Sequence, residues 1–256
     1  MRDLLLKSGI EFDESGFMKI PDWVKRIKID IGLSDGAPQS ANWFEQERHD
    51  DDLLIFGFEP IPSNAQSIRT RNSEWSTTIH PKYINKKFFL IECALSDVAE
   101  MQLQNFYRTI PDSGCSSLLP PKEFEVAEVL TVQTWSLNHF FKFFPFHRIP
   151  YIEFIKTDCQ GSDIDVVRGC SQFLNKVAIF TCEADDTRYH NSKNTLKALT
   201  EEFRRHGFFL YRNYMKFTSK VFGPRLKRVD TEDPTFINQA LRKEIANNKI
   251  RAYQQG

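Results

Sequence analysis

The chain has 256 residues, 41% of them hydrophobic, with 34 basic and 34 acidic side chains. That length and composition suit one sizeable soluble core, and the balanced charge gives no bulk attraction for nucleic acid, which is not an expected partner. No apolar run is long enough to span a bilayer, and the run in Met1–Lys7 is too short and too interrupted by charge for a signal peptide, so a cytoplasmic protein is expected.

Residues 1–26 read as an N-terminal cap of short helical pieces, with a helix start at Pro21-Asp22-Trp23-Val24. A first strand covers Ile27–Ile31 and a helix Ser40–Arg48. A second strand, Leu53–Glu59, stops at Pro60, and a helix follows over Asn64–Asn72. The third strand is Phe88–Ala94. The pattern then changes, and about 98–134 reads as an insertion. Met101–Tyr107 alternates as an exposed antiparallel strand, Ile110–Pro121 is a loop, Val126–Val132 is a strand and Ser136–Phe144 an aromatic-rich helix.

Alternation resumes with strand Tyr151–Lys156, helix Ser162–Phe173, strand Val177–Glu183 and helix Thr195–His206, closed by Gly207. Phe208–Arg212 and Lys216–Val221 read as a hairpin ending a domain that spans 27–222. The tail, 223–256, is polar and basic, with a weak helix near Phe236–Ile245. Such alternation predicts a doubly wound, mostly parallel α/β sheet with an antiparallel edge.

The chemistry collects where strands end. Ile155-Lys156-Thr157-Asp158 ends an apolar run, and Gly161 opens the next helix. Ligands bind at the carboxyl ends of strands in such sheets. A lysine and an aspartate two positions apart in extended chain point to the same side. Gly32 and Gly36 permit a tight turn, which alone reads as an ordinary strand-to-helix connection. Asp30, just before it, is suited to organising that loop through backbone N–H groups. Glu59 ends the second strand, placed either to accept hydrogen bonds from ribose hydroxyls or to favour a helix N-terminus. Glu183 ends the strand after Asp158. The five cysteines show neither CxxC nor metal spacing, and His80 and His139 have no evident partner.

The ordered set Asp30-x-Gly32-x-x-x-Gly36, Phe58-Glu59-Pro60, Ala94-Leu95-Ser96-Asp97, Gly114-x-Ser116-Ser117, Lys156-x-Asp158-x-Gln160-Gly161 and Glu183 resembles the FkbM family of S-adenosylmethionine-dependent methyltransferases. The resemblance covers roughly Ile27 to Glu183. It implies a class I, Rossmann-like fold with seven strands. It implies S-adenosylmethionine as cofactor, held by Asp30, Gly32, Ser34, Gly36 and Glu59, with Ser96 and Asp97 facing the adenine and Asp158 beside the methyl group. Lys156, Asp158 and Glu183 are the implied catalytic set. Asp158 is then a general base or orients the acceptor hydroxyl. Lys156 neutralises Asp158, positions substrate or serves as a base. Asp158 and Glu183 could instead hold a divalent metal.

The function expected is O-methylation of a hydroxyl on a sugar, glycan or small metabolite. Two alternatives stand beside it: a nicotinamide-dependent oxidoreductase on a similar sheet, against which the missing G-x-G-x-x-G counts, and a cofactor-binding module with a drifted site.

Overall fold

The apolar runs become strands buried on both faces. In the computed structural model, residues 1–46, 51–73, 75–211, 213–214, 227–228, 233–242 and 244 are described. The elements are, in order, α1 (Arg2–Lys7), β1 (Arg26–Ile31), α2 (Pro38–Gln46), β2 (Leu53–Phe58), α3 (Pro62–Thr70), β3 (Phe88–Ile91), β4 (Ala94–Leu95), β5 (Gln102–Ile110), β6 (Glu125–Trp135), α4 (Leu137–Phe141), β7 (Ile152–Thr157), α5 (Asp163–Arg168), β8 (Val177–Thr181), α6 (Leu196–Arg205), β9 (Phe208–Leu210), β10 (Asn213–Tyr214), β11 (Lys227–Arg228) and β12 (Thr235–Asn238).

Every residue of β1 and β2 is buried. Strands of that kind need cover on both faces, the condition under which parallel sheets are stable. The main sheet runs β3-β2-β1-β7-β8-β12-β9. The first five strands are parallel. β12 lies antiparallel between β8 and β9. The mostly parallel sheet with an antiparallel edge is the one expected from the alternation, and its seven strands are the number the resemblance implies. Strand order reverses at the β1–β7 pair, which opens a crevice at the carboxyl ends of those strands.

Two expectations about the C-terminal part are corrected. The segment read as a weak helix near Phe236 begins as a strand, because Phe236 and Ile237 pair with β8 on one side and β9 on the other. The sheet therefore extends past residue 222, into what read as a tail. The proposed hairpin partner at 216–221 lies outside the described residues, as does much of the basic tail. At the other end, Pro21–Val24 forms a turn closed by the Val24 N–H on the Pro21 carbonyl at 3.0 Å, not a helix start.

Phenylalanine fills the space beneath one face. Phe140 on α4 meets Phe56 and Phe58 edge-on at 5.1 and 5.4 Å between centroids. Such pairs add about 0.5–1.5 kcal/mol beyond the area they bury. At the opposite end of the strands from the crevice, Arg26 makes a two-pronged bond to Glu153, at 2.6 and 2.7 Å, tying β1 to β7. A second sheet, β4-β6-β5, draws β5 and most of β6 from the insertion. Its strands β5 and β6 are joined by a connection that passes over the crevice.

Candidate active site

β1 ends in a turn that only particular backbone geometry allows. Gly32 has φ +81°, and a β-carbon there would meet the Asp158 carbonyl oxygen at 2.0 Å. The Asp158 N–H donates to the Ile31 carbonyl at 2.9 Å, so the ends of β1 and β7 are laced together. Ser34 also has positive φ, 55°. Asp30, fully buried, accepts the Ser40 hydroxyl at 2.6 Å and its backbone N–H, which fixes the first turn of α2. Burial pushes Asp30 up to about 6, against the pull of Lys156 beside it.

These ends surround a cavity of about 250 Å³. Asp30, Gly32, Ser34, Glu59, Lys156 and Asp158 all line it, so six of the residues singled out in the sequence converge there. Its apolar part is lined by Ile61, Ala94, Leu95, Phe106 and Leu118. Residues 112–116 cover it as a roof, fastened by the Ser113 hydroxyl to Asn64 at 3.4 Å and by the Ser117 hydroxyl to the Gln160 carbonyl at 2.8 Å.

Glu59 is 3% exposed. Its Oε1 accepts the Ile61 N–H at 2.9 Å and the Asn64 amide at 3.3 Å. Burial pushes its carboxyl up to about 8, even though the N–H groups of Ile61, Leu33 and Ser34 pull the other way. An acid so placed is poised to ionise when a ligand supplies further donors.

At the other end, Lys156 donates to Asp158 Oδ2 at 3.0 Å. Burial favours a neutral lysine, but Asp158 and Asp30 outweigh it and raise Lys156 above its ordinary value. A base role for Lys156 would need a lowered pKa, and here the two flanking carboxylates raise it instead. Burial likewise acts to raise Asp158, and Lys156 with the Gln160 amide reverses this, leaving it below the usual carboxylate range.

Four further residues singled out in the sequence stand off the cavity lining. Glu183 does not line the cavity. It lies behind Asp158, with Oε1 taken by Arg188 at 2.6 Å and Oε2 by the Gln160 amide at 3.1 Å. Burial and the charges of Asp158 and Asp163 push it up to about 8. Ser96 and Asp97 are not among the lining residues either. β4 pairs with β6 and leads the chain away, so the Ser96 N–H donates to Trp135 and Asp97 is exposed, leaving Ala94 and Leu95 at the cavity. Gly36 sits beneath the loop against Ser73 and does not face the cavity.

The metal alternative does not fit the donors present. Lys156 and Arg188 already set a positive charge against Asp158 and Glu183, and a cation at this pair would have to displace them. Among the described residues no group of three or more His, Cys, Asp or Glu is arranged to hold an ion.

Gln160 and the polar residues of the loop after β8 complete the arrangement. The Gln160 amide nitrogen reaches Asp158 Oδ1 at 2.7 Å and Glu183 Oε2, while its Oε1 lies 2.7 Å from the Tyr189 hydroxyl. Arg188 also pairs with Asp185. His139, which has no evident partner in the sequence, contacts Ser136 and the Ala99 carbonyl at 2.7 and 2.9 Å. Cys159 lines the cavity, but burial raises its thiol well above the ordinary value.

The sheet order, with its cavity at the switch point, is that of a class I, Rossmann-like fold. The chain belongs to the FkbM methyltransferase family: residues 30–210 match the methyltransferase FkbM domain. No curated protein matches it. Among solved structures, a precorrin-6y C5,15-methyltransferase from Geobacter metallireducens GS-15 is similar over 90% of this chain and 97% of that one. The identity is 11% and the TM-score 0.38, too loose a likeness to inform on substrate or site. No helix among the described residues is long and apolar enough to cross a membrane.

Proposed function

We propose that the protein is an S-adenosylmethionine-dependent O-methyltransferase acting on a hydroxyl of a sugar, glycan or small metabolite. The observation that carries the reading is the single cavity with Glu59 at one part and the Lys156–Asp158 pair at another. Glu59 receives the ribose hydroxyls, with Ile61, Ala94, Phe106 and Leu118 offering apolar cover to the adenine. S-adenosylmethionine, when bound, supplies an electrophilic methyl group on a sulfonium.

Asp158 accepts the acceptor's hydroxyl proton in a hydrogen bond and aims the oxygen. Such alignment is a large part of what an enzyme supplies to an in-line displacement. Because Lys156 holds Asp158 low, its first contribution is orientation, with the proton leaving late. Lys156, held protonated, offsets negative charge that develops on the acceptor oxygen. Calorimetry with S-adenosylhomocysteine tests the cofactor half, and absence of binding would refute it. Release of S-adenosylhomocysteine in the presence of hydroxyl-bearing sugars or small metabolites tests the acceptor half.

A further inference from the structure

Tyr189 lies on the loop after β8, yet is 1% exposed. Space for its ring is made by Gly161, at φ +87°, where a β-carbon would strike Tyr189 Cδ2 at 2.9 Å. The hydroxyl lies 2.7 Å from Gln160 Oε1 and 2.7 Å from the Cys115 carbonyl. Both of those atoms only accept, so one phenolic proton serves the roof and the turn after β7 together.

Gln160 carries the connection onward. It is held at φ 51°, an uncommon conformation for a residue with a side chain. Its amide nitrogen gives one N–H to Asp158 and one to Glu183. An amide has nearly the same shape when turned over, but turning it would set Oε1 against two carboxylates and the NH₂ group against the Tyr189 hydroxyl. The two carboxylates select the bonded orientation, and the hydroxyl, donating to Oε1, anchors the amide there. The roof is strapped to the same loop by the His190 N–H on the Pro120 carbonyl and the Lys122 N–H on the Arg188 carbonyl, each at 2.9 Å.

We infer that Tyr189 is a positioning residue for methyl transfer: through Gln160 it aims the Asp158 carboxylate into the cavity, and through Cys115 it holds the roof over the same space. This rests on the reading of Asp158 as the group beside the sulfonium.

S-adenosylmethionine and S-adenosylhomocysteine differ by a methyl group and one positive charge. The ratio of their dissociation constants therefore reports how well a carboxylate is aimed at that charge. Loosened packing would weaken both ligands alike. In Tyr189→Phe, which keeps the ring, the preference for the charged ligand is expected to fall roughly fivefold, the equivalent of one neutral hydrogen bond. Asp158→Asn sets the floor of the ratio. Should Tyr189→Phe fail to fold, Gln160→Met, which keeps side-chain length and loses the amide, carries the same expectation. An unchanged ratio in a folded variant overturns the inference. Failure of wild type to bind either ligand would instead refute the cofactor reading itself.

Discussion

Gly32 and Asp158 are in such close approach that the backbone of one leaves no room for a side chain on the other: a β-carbon on Gly32 would sit 2.0 Å from the Asp158 carbonyl oxygen. The obstacle is main chain, which cannot rotate away, and φ there is +81°. Gly32→Ala is therefore expected to destabilise the protein by at least about 1–3 kcal/mol and to abolish cofactor binding. Urea unfolding and calorimetry check both outcomes. Near-wild-type values for the two would mean that the turns after β1 and β7 are not locked together.

On the proposed reading, Glu59 is expected to set the pH dependence of cofactor binding. Its carboxyl is held near 8 by burial, and the ionised form is the better acceptor for two ribose hydroxyls. Affinity for S-adenosylhomocysteine should rise between pH 6.5 and 8, by up to about tenfold per pH unit. Glu59→Gln should bind weakly with that slope removed. Glu59→Ala should lose about 2–4 kcal/mol. A slope that survives in Glu59→Gln would assign it to another group.

Asp158→Asn should leave S-adenosylhomocysteine binding nearly intact and lower methyl transfer by roughly 10²–10⁴-fold. Because Lys156 and Arg188 already supply positive charge to Asp158 and Glu183, a chelator should leave wild-type turnover unchanged. Turnover lost in chelator and restored by magnesium or manganese would overturn that account.

Stability of the ligand-free protein should fall with rising pH. Asp30 and Asp163 are raised from 3.8 to about 6, and Glu59 and Glu183 from 4.5 to about 8. Between these bounds the folded state holds protons that the unfolded chain has released, so this contribution is full only below the unfolded value of 3.8 and is lost progressively to about pH 8. Asp158 and Asp185 are shifted downward and act below that window. Melting temperatures across pH 5–8.5 would show the decline, and Glu59→Gln should flatten it. A rising curve would contradict the burial of these acids.

The fold was legible because buried parallel strands are continuous apolar runs, and each of Asp30, Glu59 and Asp158 stands where such a run ends. β12 was not legible. Phe236 and Ile237 form too short an apolar patch to fix a period, and the pairing that makes them a strand comes from segments distant in sequence. Ser96 and Asp97 misled because a strand end normally faces the crevice, whereas here a second sheet draws the chain aside after Leu95. The Gln160–Tyr189 connection joins two loops that no local pattern relates. Polar residues on the loop after β8, among them Arg188 and Tyr189, read in sequence equally as substrate-binding or as solvated, and only tertiary contacts show their partners.

The position of β12 bears on how the chain acquires its sheet. Thr235 meets Thr181, 54 positions earlier, and β12 is also the described neighbour of β9 within that sheet. Until β12 is inserted, β8 and β9 both present open backbone edges while the strands before them can already pair. That interval is when a growing or refolding chain is most open to adhesion by another strand. The closing step joins segments distant in sequence, a kind of pairing that forms slowly.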